Sequence, residues 1–215
     1  MAAVASNRRR WRAVAIWGLA LGIFCWVLPP FHVRTLDAPA ASVARDSGPS
    51  QSPAHSAREL WKQMLGTQER AVPLSTLLAA FERDPGAAEQ EYGRRIGHGG
   101  PAFFFVTGSG RVLESTRKGV VLEIAEHSTR VLLVTGPVFG NSLRDSTSLV
   151  QIGDFDSFQF NALSAELNLL SEREVQPRIA ALNRPGEVLN FTGGARFARR
   201  GGALEVVAID VSPLK

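Results

Sequence analysis

The chain has a single cysteine among its 215 residues. This residue, Cys25, lies in an uncharged run, so neither an intramolecular disulfide nor a cysteine-based zinc site is available. The four histidines, His32, His55, His98 and His127, show no metal-ligand spacing in any pair. Phosphate-loop and nucleophile-elbow motifs are also absent. We therefore expect no cofactor, no metal site and no enzyme activity of these kinds.

A basic folded region is also missing, although lysine and arginine outnumber aspartate and glutamate by 24 to 20. The excess lies before Ala57, where six arginines face two aspartates, whereas from Ala57 onward the two signs balance at 18 each. A nucleic-acid-binding protein carries its positive charge on the folded domain. The distribution therefore argues against a nucleic-acid partner and indicates a membrane-topology signal.

A hydrophobic segment follows the N-terminal arginines and ends at Pro29 and Pro30. Counted through Phe31, it reaches the lower end of the roughly 17–25 residues that cross a bilayer. Arginines next to such a segment stay in the cytoplasm. We interpret residues 1–12 as a cytoplasmic basic tail and residues 13–31 as a transmembrane signal anchor. The protein is thus predicted to be single-pass in the inner membrane, with its C-terminal domain in the periplasm.

Two other readings of this segment stay open. The first is a cleaved signal peptide, because Ala38-Pro39-Ala40 has the small-x-small pattern, although it lies far beyond the apolar run. The second is lipidation at Cys25, where the bulky Phe24 occupies a position at which lipoprotein processing requires a small residue. Whether the segment is retained, cleaved or lipidated therefore needs an experiment.

The remainder divides into a tether and a domain. Residues 32–56 are rich in alanine, serine and proline and cannot bury enough apolar surface to fold, which predicts a flexible tether. Residues 57–215 predict one extracytoplasmic globular domain. It begins with three short helices: one starts at residue 57, one is opened by Pro73, and one is capped by Asp84.

Strands and one long helix follow. Apolar runs at 102–107, 120–124 and 130–135 predict strands, with Gly108-Ser109-Gly110 as a turn leading into residues 111–115. A helix follows with Asp154 or Asp156 as its N-cap and a kink or split at Pro177. Two strands, 188–197 and 204–211, complete the chain.

The order of three strands, a helix and two strands is that of a small barrel of the oligonucleotide/oligosaccharide-binding (OB) type. The sequence therefore predicts an α+β domain: a five-stranded antiparallel OB-like barrel with N-terminal helices and a long helix between strands 3 and 4, preceded by a single transmembrane helix. A small open α+β sheet is the alternative.

Several ordered segments carry a family resemblance: residues 77–92, Tyr92-Gly93-Arg94-Arg95, the stretch GPVFGNSLRD at 136–145, Asp154-Phe155, Phe160-Asn161, and Ala165-Glu166-Leu167-Asn168. Over roughly residues 60–214 the chain resembles the predicted periplasmic lipoproteins of unknown function, DUF family 2291. The most specific part is G-x-x-x-G-N-x-x-R-D. The resemblance implies a link to sugar ABC transport, since members are often encoded beside such systems. It implies no reaction, and the chain departs from the lipoprotein members at the lipobox.

The polar residues after the third strand are the candidate ligand-binding residues: Asn141, Arg144, Asp145 and Asp154. Arg144 offers a planar fork of donors, and the two aspartates offer acceptors for sugar hydroxyls. A structural reading is equally available, in which Arg144 pairs with an aspartate, Asp154 caps the helix and Asn141 forms a turn.

Two functional hypotheses result. The first is a membrane-tethered accessory or binding domain, without enzyme activity, whose partner is a small sugar or an ABC-transporter component. An exposed apolar patch near Trp61 and Phe81 would favour a protein partner, and a pocket under the 141–154 loop would favour a ligand. The alternative is a hydrolase acting on envelope carbohydrate through Asp145 and Asp154.

Overall fold

The first described helix, α1 (Pro53–Gly66), begins four residues before the predicted domain boundary at Ala57. The computed structural model describes residues 17, 52–96, 99–151, 155–197 and 202–214. The Ser52 hydroxyl accepts a hydrogen bond from the backbone N–H of His55 at 3.3 Å and so caps α1. Proline at the first position of a helix loses no hydrogen bond. Residues 53–56, which the composition assigned to the tether, are therefore helical.

Two further helices precede the main sheet, as predicted. α2 spans Leu74–Arg83 and buries Leu74, Leu77 and Leu78. α3 spans Pro85–Tyr92, and the Asp84 carboxylate caps it by accepting from the backbone N–H groups of Gly86 and Ala87. The signals at Pro73 and Asp84 located both helices correctly.

A closed barrel forms the centre of the domain. The strands are β1 (Val72–Pro73), β2 (Phe104–Thr116), β3 (Gly119–Glu123), β4 (Arg130–Val134), β5 (Val188–Phe197) and β6 (Leu204–Pro213). Their order is β1-β2-β3-β4-β6-β5, and pairing of β2 with β5 closes the five long strands into the barrel. The fold is mixed α/β, and the predicted five-stranded barrel is present.

The pairing is not antiparallel throughout. Residues 131–133 of β4 pair in parallel with residues 204–206 of β6, and the two-residue β1 pairs in parallel with β2. The first parallel pair arises because the chain leaves β4 through helices, enters β5 and returns in the β5–β6 hairpin, so that β6 runs in the direction of β4. The wholly antiparallel prediction is therefore wrong at these two pairs.

The turn predicted at Gly108-Ser109-Gly110 is also wrong, because β2 runs straight through it. The first part of β2 pairs with β5 and its last part pairs with β3, so this one strand serves two neighbours. A Cβ built on Gly108 would lie 2.7 Å from the Leu74 Cβ, and one on Gly110 would lie 2.8 Å from the Ile124 Cδ1. These glycines allow close packing against the barrel, whereas the turn lies at Arg117-Lys118.

Helices fill the connection between β4 and β5. They are α4 (Ser142–Ser146), α5 (Ser157–Leu170), a π-helical turn (Ser171–Val175) and α6 (Gln176–Leu182). The last three form one continuous run. Pro177 occupies one of the first two positions of α6, directly after the π-helical turn. The irregularity predicted at this proline takes the form of the π-helical turn just before it.

The hydrophobic core lies inside the barrel and under the helices. Phe103, Phe104 and Phe105 are all buried, as expected for an apolar run without alternation. Among the residues that the structure describes, no helix is long and apolar enough to cross a membrane. The predicted anchor at 13–31 lies outside those residues, apart from Trp17.

Candidate functional site

The segment singled out in the sequence forms the short helix α4, and all five of its residues are buried. It packs against β5 at Gly194. A Cβ built on Gly194 would lie 2.3 Å from the carbonyl oxygen of Ser142, so only glycine permits this approach. The predicted surface loop is thus a helix pressed onto the barrel. The segment can pack against β5 because Gly194 has no side chain.

Arg144 and Asp145 form a buried ion pair with each other. The Arg144 Nε donates to Oδ1 of Asp145 at 2.6 Å, and Nη2 donates to Oδ2 at 3.0 Å. Both side chains are 3% exposed. Arg144 also donates from Nη1 to the Phe160 carbonyl at 2.8 Å, and its guanidinium carbon lies 3.5 Å from the Phe160 ring centroid. Arg144 thus connects α4 with α5, and both carboxylate oxygens of Asp145 accept hydrogen bonds from it.

Asn141 and Asp154 have separate positions. Asn141 is the N-cap residue of α4, and its backbone carbonyl accepts from the Asp145 N–H at 2.8 Å, but its side chain makes no capping bond. Asp154 lies outside the described residues. The N-cap of α5 is Asp156, whose carboxylate accepts from the Phe158 and Gln159 N–H groups in a capping box. Of the four candidate residues, the structure brings Asn141, Arg144 and Asp145 together.

A carboxylate pair for hydrolysis would need accessible carboxyl groups. Asp145 is 2% exposed and is held by Arg144. Nor do the described residues contain a group of three or more histidine, cysteine, aspartate or glutamate side chains that could hold a metal ion. The contacts of Asp145 therefore give no support to the hydrolase hypothesis.

A different feature offers space for a ligand: a groove of about 820 Å³ at the end of the barrel where β2 and β6 begin and β5 ends. Its walls come from α2, α3 and the residues between β3 and β4, and Arg95 and Pro101 border it. Small-molecule sites typically have volumes of about 300–1,000 Å³. Neither Asn141, Arg144 nor Asp145 lines this groove. We call it the aromatic groove.

Three phenylalanines form its floor. The Phe81 ring lies 4.3 Å from that of Phe197 and 5.5 Å from that of Phe104, centroid to centroid, and the Phe104 and Phe197 centroids are 6.2 Å apart. Phe104 is fully buried, whereas Phe81 and Phe197 are half-buried and present part of their rings to the groove. Such clusters pack through ring faces and edges and form rigid apolar surfaces.

The rim carries two carboxylates and two guanidinium groups, so its formal charge is zero among the described residues. Each has a partner from this chain. Arg95 pairs with Glu89, Glu82 lies 3.1 Å from Nδ1 of His127, and Nη1 of Arg130 lies 2.9 Å from Glu123. Arg95 and Arg130 are about half exposed. The rim residues that the structure describes therefore offer hydrogen-bonding groups without an excess of either charge.

Displaced pKa values occur outside the groove. The pKa of Tyr92 is raised, first because its hydroxyl donates to Glu91 and then because of desolvation. The pKa of Glu59 is lowered, first by a hydrogen bond from Lys62 and then by the charge of that ammonium. Both are local helix-surface effects of the kind expected from neighbouring side chains.

Sequence reasoning missed the groove. Phe81 was expected near an exposed apolar patch, but its neighbours Phe104 and Phe197 are distant in sequence, and only barrel closure brings the three together. Trp61, expected near an exposed patch, is 4% exposed. The usable sequence signal was an aromatic residue, Phe197, at the end of a predicted strand and shortly before Gly201 and Gly202.

Comparison with known proteins agrees with this architecture. A family model described as "Predicted periplasmic lipoprotein (DUF2291)" matches residues 21–214. The crystal structure of an OB-fold protein from Thermotoga maritima superposes with a TM-score of 0.66 at 19% identity, covering 76% of this chain and 99% of that one. At this identity the likeness shows the fold alone. A comparison with curated proteins gave no match.

Proposed function

The chain belongs to the predicted periplasmic lipoprotein family DUF2291, and we propose that it is a non-enzymatic binding domain tethered to the outer face of the inner membrane. In this proposal the aromatic groove binds a small neutral saccharide. The observation that carries the proposal is the combination of a three-phenylalanine floor with a rim of paired, charge-balanced polar groups.

The floor suits a sugar because a pyranose or furanose ring has apolar C–H faces. These faces can lie on the exposed parts of Phe81 and Phe197, while the fully buried Phe104 supports both rings from below. OB barrels in general bind oligosaccharides and oligonucleotides on their surfaces. The charges of the described rim residues balance and give a polyanion no net attraction, which supports the saccharide over the nucleic acid.

The rim suits the hydroxyl groups of a sugar. The carboxylates of Glu82 and Glu89 accept hydrogen bonds, and the guanidinium groups of Arg95 and Arg130 donate them. Each of these charged groups already has a partner in the chain. An uncharged ligand can therefore bind without breaking an ion pair. A sugar phosphate would instead have to compete with Glu89 or Glu123 for an arginine.

Membrane attachment is the second part of the proposal. The favoured form is the uncleaved anchor at residues 13–31, with lipidation at Cys25 as the alternative suggested by the family description. A domain held in this way can present a captured sugar to a transport system in the same membrane. The link to sugar ABC transport, including the ABC-transporter component as partner, stays a prediction.

A thermal-shift screen of the full chain in detergent micelles tests the site. Neutral pentoses, hexoses and disaccharides are compared with sugar phosphates. A ligand at about 100 times its Kd should add about 2.7 kcal/mol to the free energy of unfolding. We expect a neutral sugar to give this shift, with little dependence on salt because no net charge is neutralised.

Matched variants locate the binding. Arg130→Ala should weaken binding about tenfold, the cost of one hydrogen bond to a charged group. Arg178→Ala is its control, because both arginines are about half exposed and lie 2.9 Å from a carboxylate oxygen. Phe81→Leu should also weaken binding, and Phe155→Leu, which replaces another half-buried phenylalanine packed against the core, should not. Binding that survives both groove variants, or the absence of binding by every neutral sugar, would contradict the proposal.

A further inference from the structure

Two phenylalanines outside the groove are almost fully exposed. Phe139 is 82% exposed and Phe158 is 81% exposed, the highest values among large hydrophobic side chains in the part described from Ser52 onward. Phe139 precedes α4, between Gly136 and Gly140, and Phe158 lies in the first turn of α5. Exposed aromatic residues of this size on a folded domain indicate a contact surface.

The backbone around Phe139 is held rigidly. Side chains from three successive turns of the long helix bind it: Asn168, Glu172 and Gln176. Asn168 donates to the carbonyls of Val138 and Gly140 at 3.3 and 3.0 Å, and Glu172 accepts from the Val138 N–H at 2.7 Å.

Gln176 completes this clamp at Gly136. Its amide accepts from the Gly136 N–H at 2.8 Å and donates to the Gly136 carbonyl at 2.7 Å. Gly136 and Gly140, on either side of Phe139, have φ values of +89° and +96°, which only glycine adopts readily. The fold thus fixes the loop on both sides of Phe139 and keeps its ring in water. Because the loop is fixed, a contact through Phe139 costs little ordering entropy.

Phe158 and Leu169 lie on one face of α5. They are eleven residues apart, which at about 100° per residue returns to nearly the same direction after three turns, about 16 Å along the axis. Ala162 and Ala165 lie between them, so this stripe carries no charge. Asn168, which holds the Phe139 loop, is less than a third of a turn away. The loop and the stripe therefore adjoin, and we call them together the apolar face.

We infer that the apolar face docks on the lipid bilayer, with Phe139 and Phe158 inserted at the interface. The inference rests on the membrane attachment proposed above and is independent of the saccharide site. The sequence predicts a tether between the anchor and α1, and a linker of twenty residues with such a composition has a root-mean-square span of about 25 Å. The domain thus stays close to the bilayer, where the apolar face meets lipid at high effective concentration.

The absence of lysine and arginine from the loop and the stripe specifies the lipid contact. Binding driven by basic residues would require anionic lipid, whereas aromatic insertion does not. Docking should therefore be equally strong on zwitterionic vesicles and on vesicles containing phosphatidylglycerol.

A fluorescence experiment on the full chain tests this. Cys25→Ser removes the native thiol, and Ala165→Cys, an exposed position in the stripe, carries an environment-sensitive dye. The protein is reconstituted into phosphatidylcholine vesicles with or without phosphatidylglycerol, and spin-labelled lipids serve as quenchers. Ala125→Cys, an exposed alanine between β3 and β4, is the matched control.

We expect blue-shifted emission and quenching by spin-labelled lipid at position 165 in both lipid mixtures, with water-like emission at position 125. Adding Phe139→Ser and Phe158→Ser should lower the docked fraction at least about tenfold without changing the melting temperature, because both side chains are in water in the free domain. The protein should co-float with vesicles in every case. Because Cys25 is replaced in these proteins, loss of co-flotation would refute attachment through residues 13–31 and would point to Cys25 as the site of attachment.

Three results would overturn the docking inference while leaving the attachment intact. One is water-like, unquenched emission at position 165 in co-floating protein. Another is unchanged quenching in the double serine variant. The third is a blue shift that grows with protein density and is not quenched by lipid spin labels, which would assign the face to a second copy of the chain.

Discussion

Removal of the Asp145 carboxylate should lower the free energy of unfolding of the domain by a large fraction. In Asp145→Ala, the Arg144 guanidinium loses the acceptors of its Nε and Nη2 groups and keeps the Phe160 carbonyl and ring. Because this cation is 3% exposed, water cannot replace the lost partner. Breaking one partner of such a pair costs about 3–5 kcal/mol, a large part of the roughly 5–15 kcal/mol that stabilises a typical domain.

Urea unfolding followed by circular dichroism measures this cost. The double variant Arg144→Met/Asp145→Leu should be much less destabilised than the sum of the two single changes, because it removes both charges together. We expect a coupling free energy of about 2 kcal/mol or more, at the upper end of values for contacting residues. Arg178→Ala breaks a partly exposed pair and should cost only about 0–1 kcal/mol.

A different result would refute the structural assignment of this pair. If Asp145→Ala costs less than about 1 kcal/mol and the two single changes are additive, Arg144 does not depend on Asp145. The guanidinium would then be free for another partner, and the ligand-binding role predicted for Arg144 from the sequence would be the better explanation.

Three further changes test other parts of the account. Gly194→Ala places a Cβ 2.3 Å from the Ser142 carbonyl oxygen, so the melting curve should show a loss of about 1–3 kcal/mol as α4 is displaced. Asp156→Ala removes the α5 capping box and should cost about 1 kcal/mol in urea unfolding. Cys25→Ser should leave the chain in the membrane fraction of cells, and radiolabelled palmitate should label neither form if residues 13–31 are the anchor. Labelling that depends on Cys25 would show the lipidated form instead.

Local signals predicted the elements whose cause is local. Pro73 and Asp84 located two helices, because the preferences of proline and of capping residues at a helix start act within a few residues. The element order indicated the barrel. The prediction of a turn at Gly108 failed because glycine serves both in turns and at sites of close packing. Leu74, whose side chain leaves no room for a Cβ at Gly108, is far away in sequence.

The candidate site shows the same division. The identity and the spacing of Arg144 and Asp145 indicated a polar cluster, and its burial depended on Gly194 of a strand about 50 residues later. The aromatic groove required closure of the barrel, which brings the start of β2 beside the end of β5. The sequence patterns reveal neither the contact of α4 with Gly194 nor the pairing of β2 with β5. They therefore pointed to the polar residues of α4 and not to the phenylalanines of the aromatic groove.

The position of the ligand is the most direct test of the proposed function. Amide NMR spectra of the isotopically labelled chain in micelles would be followed during titration with the tightest neutral saccharide from the screen. The account predicts shifts at Glu82, Arg95, Phe104 and Phe197, with Ser142–Ser146 unchanged. Shifts confined to the α4 segment, with the groove amides unaffected, would contradict it.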